Sequence, residues 1–538
     1  MKNPFSIVLA QLNCTVGDIS GNAAKIINAC HQVREELDSR FVVFPELALT
    51  GYPPEDLLFR DDFILESERE LERIVVEIKE VTAIIGHPYR EFDKLYNAAS
   101  VLSEGRIIAR YYKRKLPNYS VFDEKRYFSS GNKPCVVRIQ GVSLGLTICE
   151  DIWHDGPVEE SVAGGAELLI NINASPFHVE KANEREIQVV AQKASQNALP
   201  IVYVNMVGGQ DELVFDGGSF VCDGKGAVTH RAQFFNEQFL KVEFNDRCYP
   251  LGERVCKMPG IEESIYEALV IGVRDYVKKN DFPGVLVGLS GGIDSALTLA
   301  IAVDALGSKN AQAIMMPSRY TRLISTEDAI SEAEALGVRY EVVDIEPLFS
   351  SFLQQLAPVF EGFKADTTEE NIQARIRGTL LMAISNKTGA MVLATGNKSE
   401  MAIGYATLYG DMVGGFAVIK DVPKTLVYRL ARYRNCTRKI IPDRVLDRAP
   451  SAELSLDQED QDILPPYDVL DSIVEAYVED DKAVSDIVKA GFDQTTVDSV
   501  VARVKRSEYK RRQAPPGVRI SQRAFGRDRR YPITSGFV

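Results

Sequence analysis

A chain of 538 residues is longer than one ordinary domain, and its 45% hydrophobic and 26% charged residues describe globular, water-soluble units. A formal net charge of −14 argues against wholesale binding of nucleic acid and leaves local basic patches as anion sites. No run approaches the ~18 apolar residues of a membrane span, and the eight cysteines form neither CxxC pairs nor a dense framework, so a reducing, cytoplasmic setting is expected.

The first stretch, MKNPFSIVLAQLNCTVGD, is read as a strand over Ser6–Leu12 rather than a signal peptide. A helix fits GNAAKIINACHQVREELDS. Strands follow at Phe41–Phe44 and Ala83–Gly86, then a hairpin in AASVLSEGRIIARYYK that turns at Glu104-Gly105. Further strands fit Ser143–Ile148, Leu168–Asn173 and Ile201–Asn205. A helix fits HVEKANEREIQVVAQKASQNA, and a second hairpin turns near Asp223-Gly224. This mixture predicts sheets covered by helices. All five histidines lie within the first 230 residues, so the second half works without histidine.

Three predicted strand ends carry chemistry: Glu46 in FPEL, Lys113 in KRKLPNY and Cys149 in CEDIW. A thiol of ordinary pKa near roughly 8.5 needs a base or a cation to become a nucleophile. Glu46 can take its proton, and Lys113 can hold the charges and the oxyanion. Each residue alone reads more simply as a surface charge or an inert core cysteine; the three together point to a site. Other cysteine amidase designs fit worse. Cys149 is flanked by Ile148 and Glu150 rather than glycines, and HVE at His178–Glu180 has no such elbow to serve. The motifs resemble those of the nitrilase (carbon–nitrogen hydrolase) superfamily. The resemblance implies an αββα sandwich and a Glu46–Lys113–Cys149 triad, with Lys115 as a nearby competitor for the lysine position. It also implies Glu124 as a second carboxylate and glutamine contacts at Tyr119, Ser175 and Lys181.

Residues 246–262 lack periodicity and carry Pro and Gly breaks, so they are read as a linker between domains 1–245 and 263–538. Beyond it a helix fits ESIYEALVIGVRDYVKKN. Strands at Val285–Leu289, Ala313–Met316, Tyr340–Asp344 and Met391–Ala394 then alternate with helices at Ser295–Leu306, Glu327–Leu336 and Asn371–Ser385. That alternation predicts a parallel, doubly wound, Rossmann-like α/β sheet, which binds ligands beyond the carboxyl ends of its strands. Ser290, Ser318-Arg319, Asp344 and Thr395 should therefore converge on one crevice. The acidic stretch DRAPSAELSLDQEDQDILPPYD is read as a lid or disorder. The tail from Arg503 to Arg530 has eleven Lys/Arg and is read as a phosphate or pyrophosphate surface, with a solvated face as the plainer reading.

The stretch GLSGGIDS is a glycine turn between an apolar strand and an apolar helix, where backbone N–H groups receive an anion. A Walker A loop has a lysine before its Ser/Thr; this loop has Asp294. A carboxylate there repels phosphate unless a divalent cation lies between, which fits a metal-bridged pyrophosphate that leaves as a unit. The loop resembles that of the ATP pyrophosphatases. TEENIQARIRG, LATGNKSEMAIGYATLYGDMVGGFAVIKDVPKT and SEYKRRQAPPGVRIS resemble NAD synthetases, and both resemblances together cover nearly the whole chain. They imply ATP-dependent amidation of deamido-NAD to NAD, using ammonia from glutamine and passing through an acyl-adenylate. Glutamate, AMP and pyrophosphate are the other products. ATP would lie on Gly288, Leu289, Ser290, Gly291, Gly292, Ile293, Asp294 and Ser295, with Thr395 also on the nucleotide. Mg2+ would lie on Asp294 and Glu400, and deamido-NAD would face Asn371, Glu400, Asp411 and Lys510. The resemblance also implies a homo-oligomer. The rival readings are a tRNA-modifying ATP pyrophosphatase and a nitrilase-like scaffold without catalysis.

Overall fold

The computed structural model describes residues 4–456 and 458–537. It divides into two units, Met1–Gly260 and Ile261–Val538.

The first unit holds two seven-stranded sheets. One has Pro250–Leu251, Gln238–Phe244, Phe5–Gln11, Phe41–Val43, Thr82–Glu91, Lys94–Ser103 and Arg106–Tyr112 side by side in that order. The other runs Arg254–Val255, Val228–Arg231, Phe220–Cys222, Ile201–Asn205, Leu168–Asn173, Val142–Ile148 and Cys135–Ile139. Side chains alternate across each strand. Ile7 and Leu9 face a core shared with Leu144, Leu146, Ile148, Ile170 and Ile172 of the second sheet. Val8 and Ala10 instead join Ile26, Val33, Leu71 and Ile74 of the helices Ile19–Glu35 and Asp61–Glu77. On the far side, Leu169, Ile201 and Tyr203 pack on Val158, Val190 and Ala194. The layers are helix, sheet, sheet, helix, as expected.

Helix Asp61–Glu77 was not anticipated, because its charges hide a buried stripe at Phe63, Ile64, Ser67, Leu71 and Ile74. The helix expected over 178–198 comes in three parts, with a π-helical turn at Glu184–Val190 between α-helical Lys181–Asn183 and Ala191–Asn197. The segment read as a linker contains two short strands, Pro250–Leu251 and Arg254–Val255, which pair with Gln238–Phe244 and Val228–Arg231 inside the first unit.

The second unit has a five-stranded parallel sheet in the order Arg339–Val342, Ala311–Met315, Val285–Gly288, Met391–Ala394, Phe416–Ala417. Its first strand in the chain is central, so the winding reverses there, which is where such sheets place a ligand crevice. A separate helical core of Leu470, Ile473, Val497, Val500 and Val504 packs on Ala402 and Ile403. Among the described residues, no helix is long and apolar enough to cross a membrane.

Candidate active sites

In the first unit, Cys149 closes the strand Val142–Ile148 and opens the short 3-10 helix Cys149–Trp153. Its φ is +44°, a left-handed conformation that a residue with a Cβ adopts at a cost. Lys113 follows the strand Arg106–Tyr112, and its Nζ lies 2.7 Å from Glu46 Oε1 and 2.7 Å from Glu124 Oε1. The side chains of Lys113 and Glu46 are fully buried. Asn97 Nδ2 donates to the same Glu46 oxygen at 2.7 Å, and the Ala174 amide donates to the other at 3.0 Å. Tyr52 donates to Glu124 at 3.0 Å. Lys115, the competing lysine, instead gives its backbone N–H to Asp151 at 2.8 Å.

Charge in this pocket is set by burial and by neighbours. Burial opposes the Lys113 ammonium, but Glu124 and Glu46 outweigh it and hold its pKa well above the ordinary value. Burial pushes Glu124 up to about 7 against the pull of Lys113, with Glu46 adding to the rise. Burial also drives the Cys149 thiol well above its usual range; the negative charge of Glu46 adds to this and Lys113 opposes it. The Cys149 side chain therefore favours the thiol, within the fields of Glu46 and Lys113.

The expected glutamine contacts lie around it. Tyr119 Oη donates to Glu150 at 3.1 Å, and His154 Nε2 lies 2.9 Å from that carboxylate. Lys181 Nζ sits 3.9 Å from the Trp153 ring centre and 3.3 Å from Glu184, with burial lowering its pKa. Ser175 is buried, and its amide donates to Asn205 Oδ1 at 3.0 Å.

The second unit has a cavity of about 280 Å³ at the ends of its central strands. Gly288, Leu289, Ser290, Gly292, Ile293, Asp294, Ser295, Thr395, Glu400 and Asp411 all line it. The loop is pinned from within: Ser295 Oγ accepts from the Ser290 amide at 3.2 Å, and Ser290 Oγ accepts from the Gly292 amide at 3.2 Å. Gly291 has φ +80°, and a Cβ there would meet the Ser325 carbonyl at 2.1 Å. The lysine absent from the loop comes from elsewhere. Lys424, at the start of helix Lys424–Thr437, hydrogen-bonds Asp294 Oδ2 and lies 3.6 Å from Glu400. Asn397 Nδ2 donates to Asp294 Oδ1 at 3.0 Å while its Oδ1 caps helix Lys398–Ile403. Burial and then the Asp294 charge raise Glu400 to about 8, with Lys424 opposing.

Lys424, Asn397 and Arg448 were not singled out from the sequence. The Asn-x-x-Glu spacing of 397–400 is a capping-box signal that could have found Asn397. The acidic stretch read as a lid supplies Arg448–Leu454 and Asp460 to the cavity wall. Arg448 reaches the Gly291 carbonyl at 2.8 Å, and Glu453 accepts from Ser325 Oγ at 2.6 Å.

Other expected residues sit behind the lining of this cavity. Asn371 and Lys510 brace the loop that carries Asp411. Thr407 gives its hydroxyl to Asn371 at 2.6 Å and its amide to Asp411 at 2.7 Å, while Lys510 Nζ donates to the carbonyls of Gly404 and Ala406 at 2.8 and 2.7 Å. Arg319 and Asp344 turn aside from the crevice: Arg319 pairs with Glu346, whose amide donates to Asp344 at 2.9 Å. Part of the basic tail is ion-paired within the second unit. Arg511, Arg512 and Arg529 converge on Glu508, Arg519 pairs with Asp528, and Arg523 pairs with Asp481.

Comparison with known proteins gives each unit a family. The sequence matches the carbon-nitrogen hydrolase family over residues 7–252 and the NAD synthase family over residues 265–514. A glutamine-dependent NAD(+) synthetase of Xylella fastidiosa is 48% identical over 100% of both chains. One from Thermotoga maritima is 46% identical over 99% of this chain and 98% of its own. Among solved structures, the glutamine-dependent NAD+ synthetase of Acinetobacter baumannii has a TM-score of 0.81 at 44% identity, covering 100% of this chain and 99% of its own. A buried Glu–Lys–Cys cluster in one unit, a carboxylate-bearing phosphate loop in the other and full-length identity of this order agree: the chain belongs to the glutamine-dependent NAD(+) synthetases.

Proposed function

We propose that residues 1–245 release ammonia from glutamine and residues 263–538 spend it on deamido-NAD, with 246–262 between them. Cys149 Sγ attacks the side-chain amide carbon, and Glu46 carries the thiol proton to the departing ammonia. Lys113 balances the two carboxylates and the oxyanion. Water then attacks the thioester, Glu46 takes its proton, and glutamate leaves. Tyr119, Ser175 and Lys181 hold the amino-acid end of glutamine.

In the second unit the loop Gly288–Ser295, at the N-terminus of helix Ile293–Leu306, receives the phosphates of ATP. The Acinetobacter baumannii relative was solved with ADP, which supports a nucleotide in this cavity. The carboxylate of deamido-NAD attacks the α-phosphorus, and pyrophosphate leaves. Ammonia attacks the acyl-adenylate carbonyl, giving NAD and AMP. Thr395 positions the nucleotide, and Asn371, Glu400, Asp411 and Lys510 face deamido-NAD, with Asn371 and Lys510 also holding the loop that carries Asp411. Asp294 and Glu400 fit a Mg2+ ion, since two hard carboxylates face one ammonium and the charge of one raises the other. Such an ion, held by Asp294 and Glu400, would supply positive charge that stabilises a departing pyrophosphate. A homo-oligomer follows from the family resemblance, and light scattering of the purified chain reads it.

The observation that carries this reading is the pairing of Asp294 and Glu400 around one buried ammonium in a cavity lined by a phosphate loop. The test mixes ATP, Mg2+, deamido-NAD and either glutamine or ammonia, and follows NAD and AMP. Cys149→Ala loses the glutamine-driven rate and keeps the ammonia-driven one. Asp294→Ala loses both. Wild-type pyrophosphate release by Asp294→Ala would remove that residue from the reaction.

A further inference from the structure

We propose that Asp151 is the positioning residue of the thiol site: its carboxylate couples the turn that presents Cys149 to the segment that carries Lys113. The inference rests on the reading of Cys149 as nucleophile. Asp151 is fully buried, two residues past Cys149. Oδ2 accepts from the Ile148 amide at 3.0 Å and from Tyr111 Oη at 2.8 Å. Oδ1 accepts from the Arg114 amide at 3.0 Å and the Lys115 amide at 2.8 Å. One carboxylate thus clamps the residue before Cys149 with one oxygen and both residues after Lys113 with the other.

That division of labour matters because Cys149 is held with φ +44°. A non-glycine residue keeps such a conformation only where its surroundings over-determine it. The bond from the Ile148 amide fixes the entry to the turn. The bonds from 114 and 115 fix the exit from Lys113, whose own amide and carbonyl are tied to Asn97 and Gly131 at 2.8 and 2.9 Å. Glu46 and Glu124 then set the ammonium end. Asp151 contributes no proton and touches no substrate; it sets the distance between thiol and ammonium.

The carboxylate is needed as such. An asparagine has one acceptor oxygen and one NH2 group. Whichever way it turns, one pair of donors meets another donor, so Asp151→Asn releases either the Cys149 side or the Lys113 side. In the full-length enzyme, Asp151→Asn is expected to lower the glutamine-driven kcat about 100-fold, the scale of a roughly 1 Å misplacement of reacting groups. The KM for glutamine and the ammonia-driven rate stay within about threefold of wild type on the same scale. Iodoacetamide alkylation at Cys149, read by peptide mass, slows in step with kcat. Equal losses with both nitrogen sources, or a glutamine-driven kcat kept at the wild-type level, overturn the proposal. Should this variant fail to fold, Tyr111→Phe decides, because it removes one donor and leaves the carboxylate. A three- to tenfold fall in glutamine-driven kcat with the ammonia rate kept supports the coupling, and an unchanged kcat overturns it. Glutamine-driven turnover by Cys149→Ala would instead sink the nucleophile reading, whatever Asp151 does.

Discussion

Lys424 changes the meaning of Asp294. Read along the chain, the loop GLSGGIDS lacks a cation; in three dimensions one arrives from 130 residues away, and its side chain is 3% exposed. No local pattern carries that pairing, whereas Cys149 and Glu46 announced themselves as reactive types at the ends of apolar runs. Removing one partner of a buried ion pair leaves the other uncompensated, at a cost of roughly 3 kcal/mol. Lys424→Met is therefore expected to lose that much stability in urea unfolding and to lose NAD formation with either nitrogen source, while glutamine hydrolysis continues. Glu124 gives a pH signature. Burial raises its carboxyl from the ordinary value of 4.5 to about 7 in the folded chain. Between those values the folded state holds the extra proton, so stability falls as pH rises, by up to about 1.4 kcal/mol per pH unit. Unfolding free energies of wild type and Glu124→Gln, measured from pH 5 to pH 8, should diverge with that sign, the wild type losing ground as pH rises. Parallel curves would contradict it.

Among elements, the strand–turn–helix of the phosphate loop was the most legible, because an apolar strand, a glycine turn and an apolar helix each declare themselves. Gly291 shows why the turn must be glycine: its φ is positive and the Ser325 carbonyl leaves no room for a methyl group. Gly291→Ala should raise the KM for ATP at least about tenfold and cost roughly 1–3 kcal/mol. A steady-state ATP titration with a thermal melt checks both. The basic tail was the least legible element. Its arginines count as positive charge in the sequence, but Glu508 reaches Arg511 and Arg512 by helical spacing and Arg529 by tertiary return. Helix Asp61–Glu77 was missed for the related reason that surface charge outnumbers its narrow buried stripe.

For the molecule as a whole, the α/β class followed from periods of two and 3.6, and the two kinds of chemistry followed from motifs confined to opposite halves. What stayed hidden was the brace behind each site: Asp151 in the first unit and Lys424 with Asn397 in the second. Each acts across segments distant in sequence, and each is a common residue type in an ordinary context. The chemistry-bearing residues are legible because few residue types can do their work; the bracing residues are not, because many can.

The Lys424 contact also has a consequence for ion dependence. With an ammonium set against Asp294 and close to Glu400, part of the carboxylate charge in the nucleotide pocket is offset from within the protein. An ion bound at Asp294 and Glu400 would have to displace or share with that resident side chain, so the folded unit is expected not to depend on it. Treatment with EDTA should stop adenylation and leave the melting midpoint where it was; a midpoint that dropped would make the ion a structural member rather than a visitor.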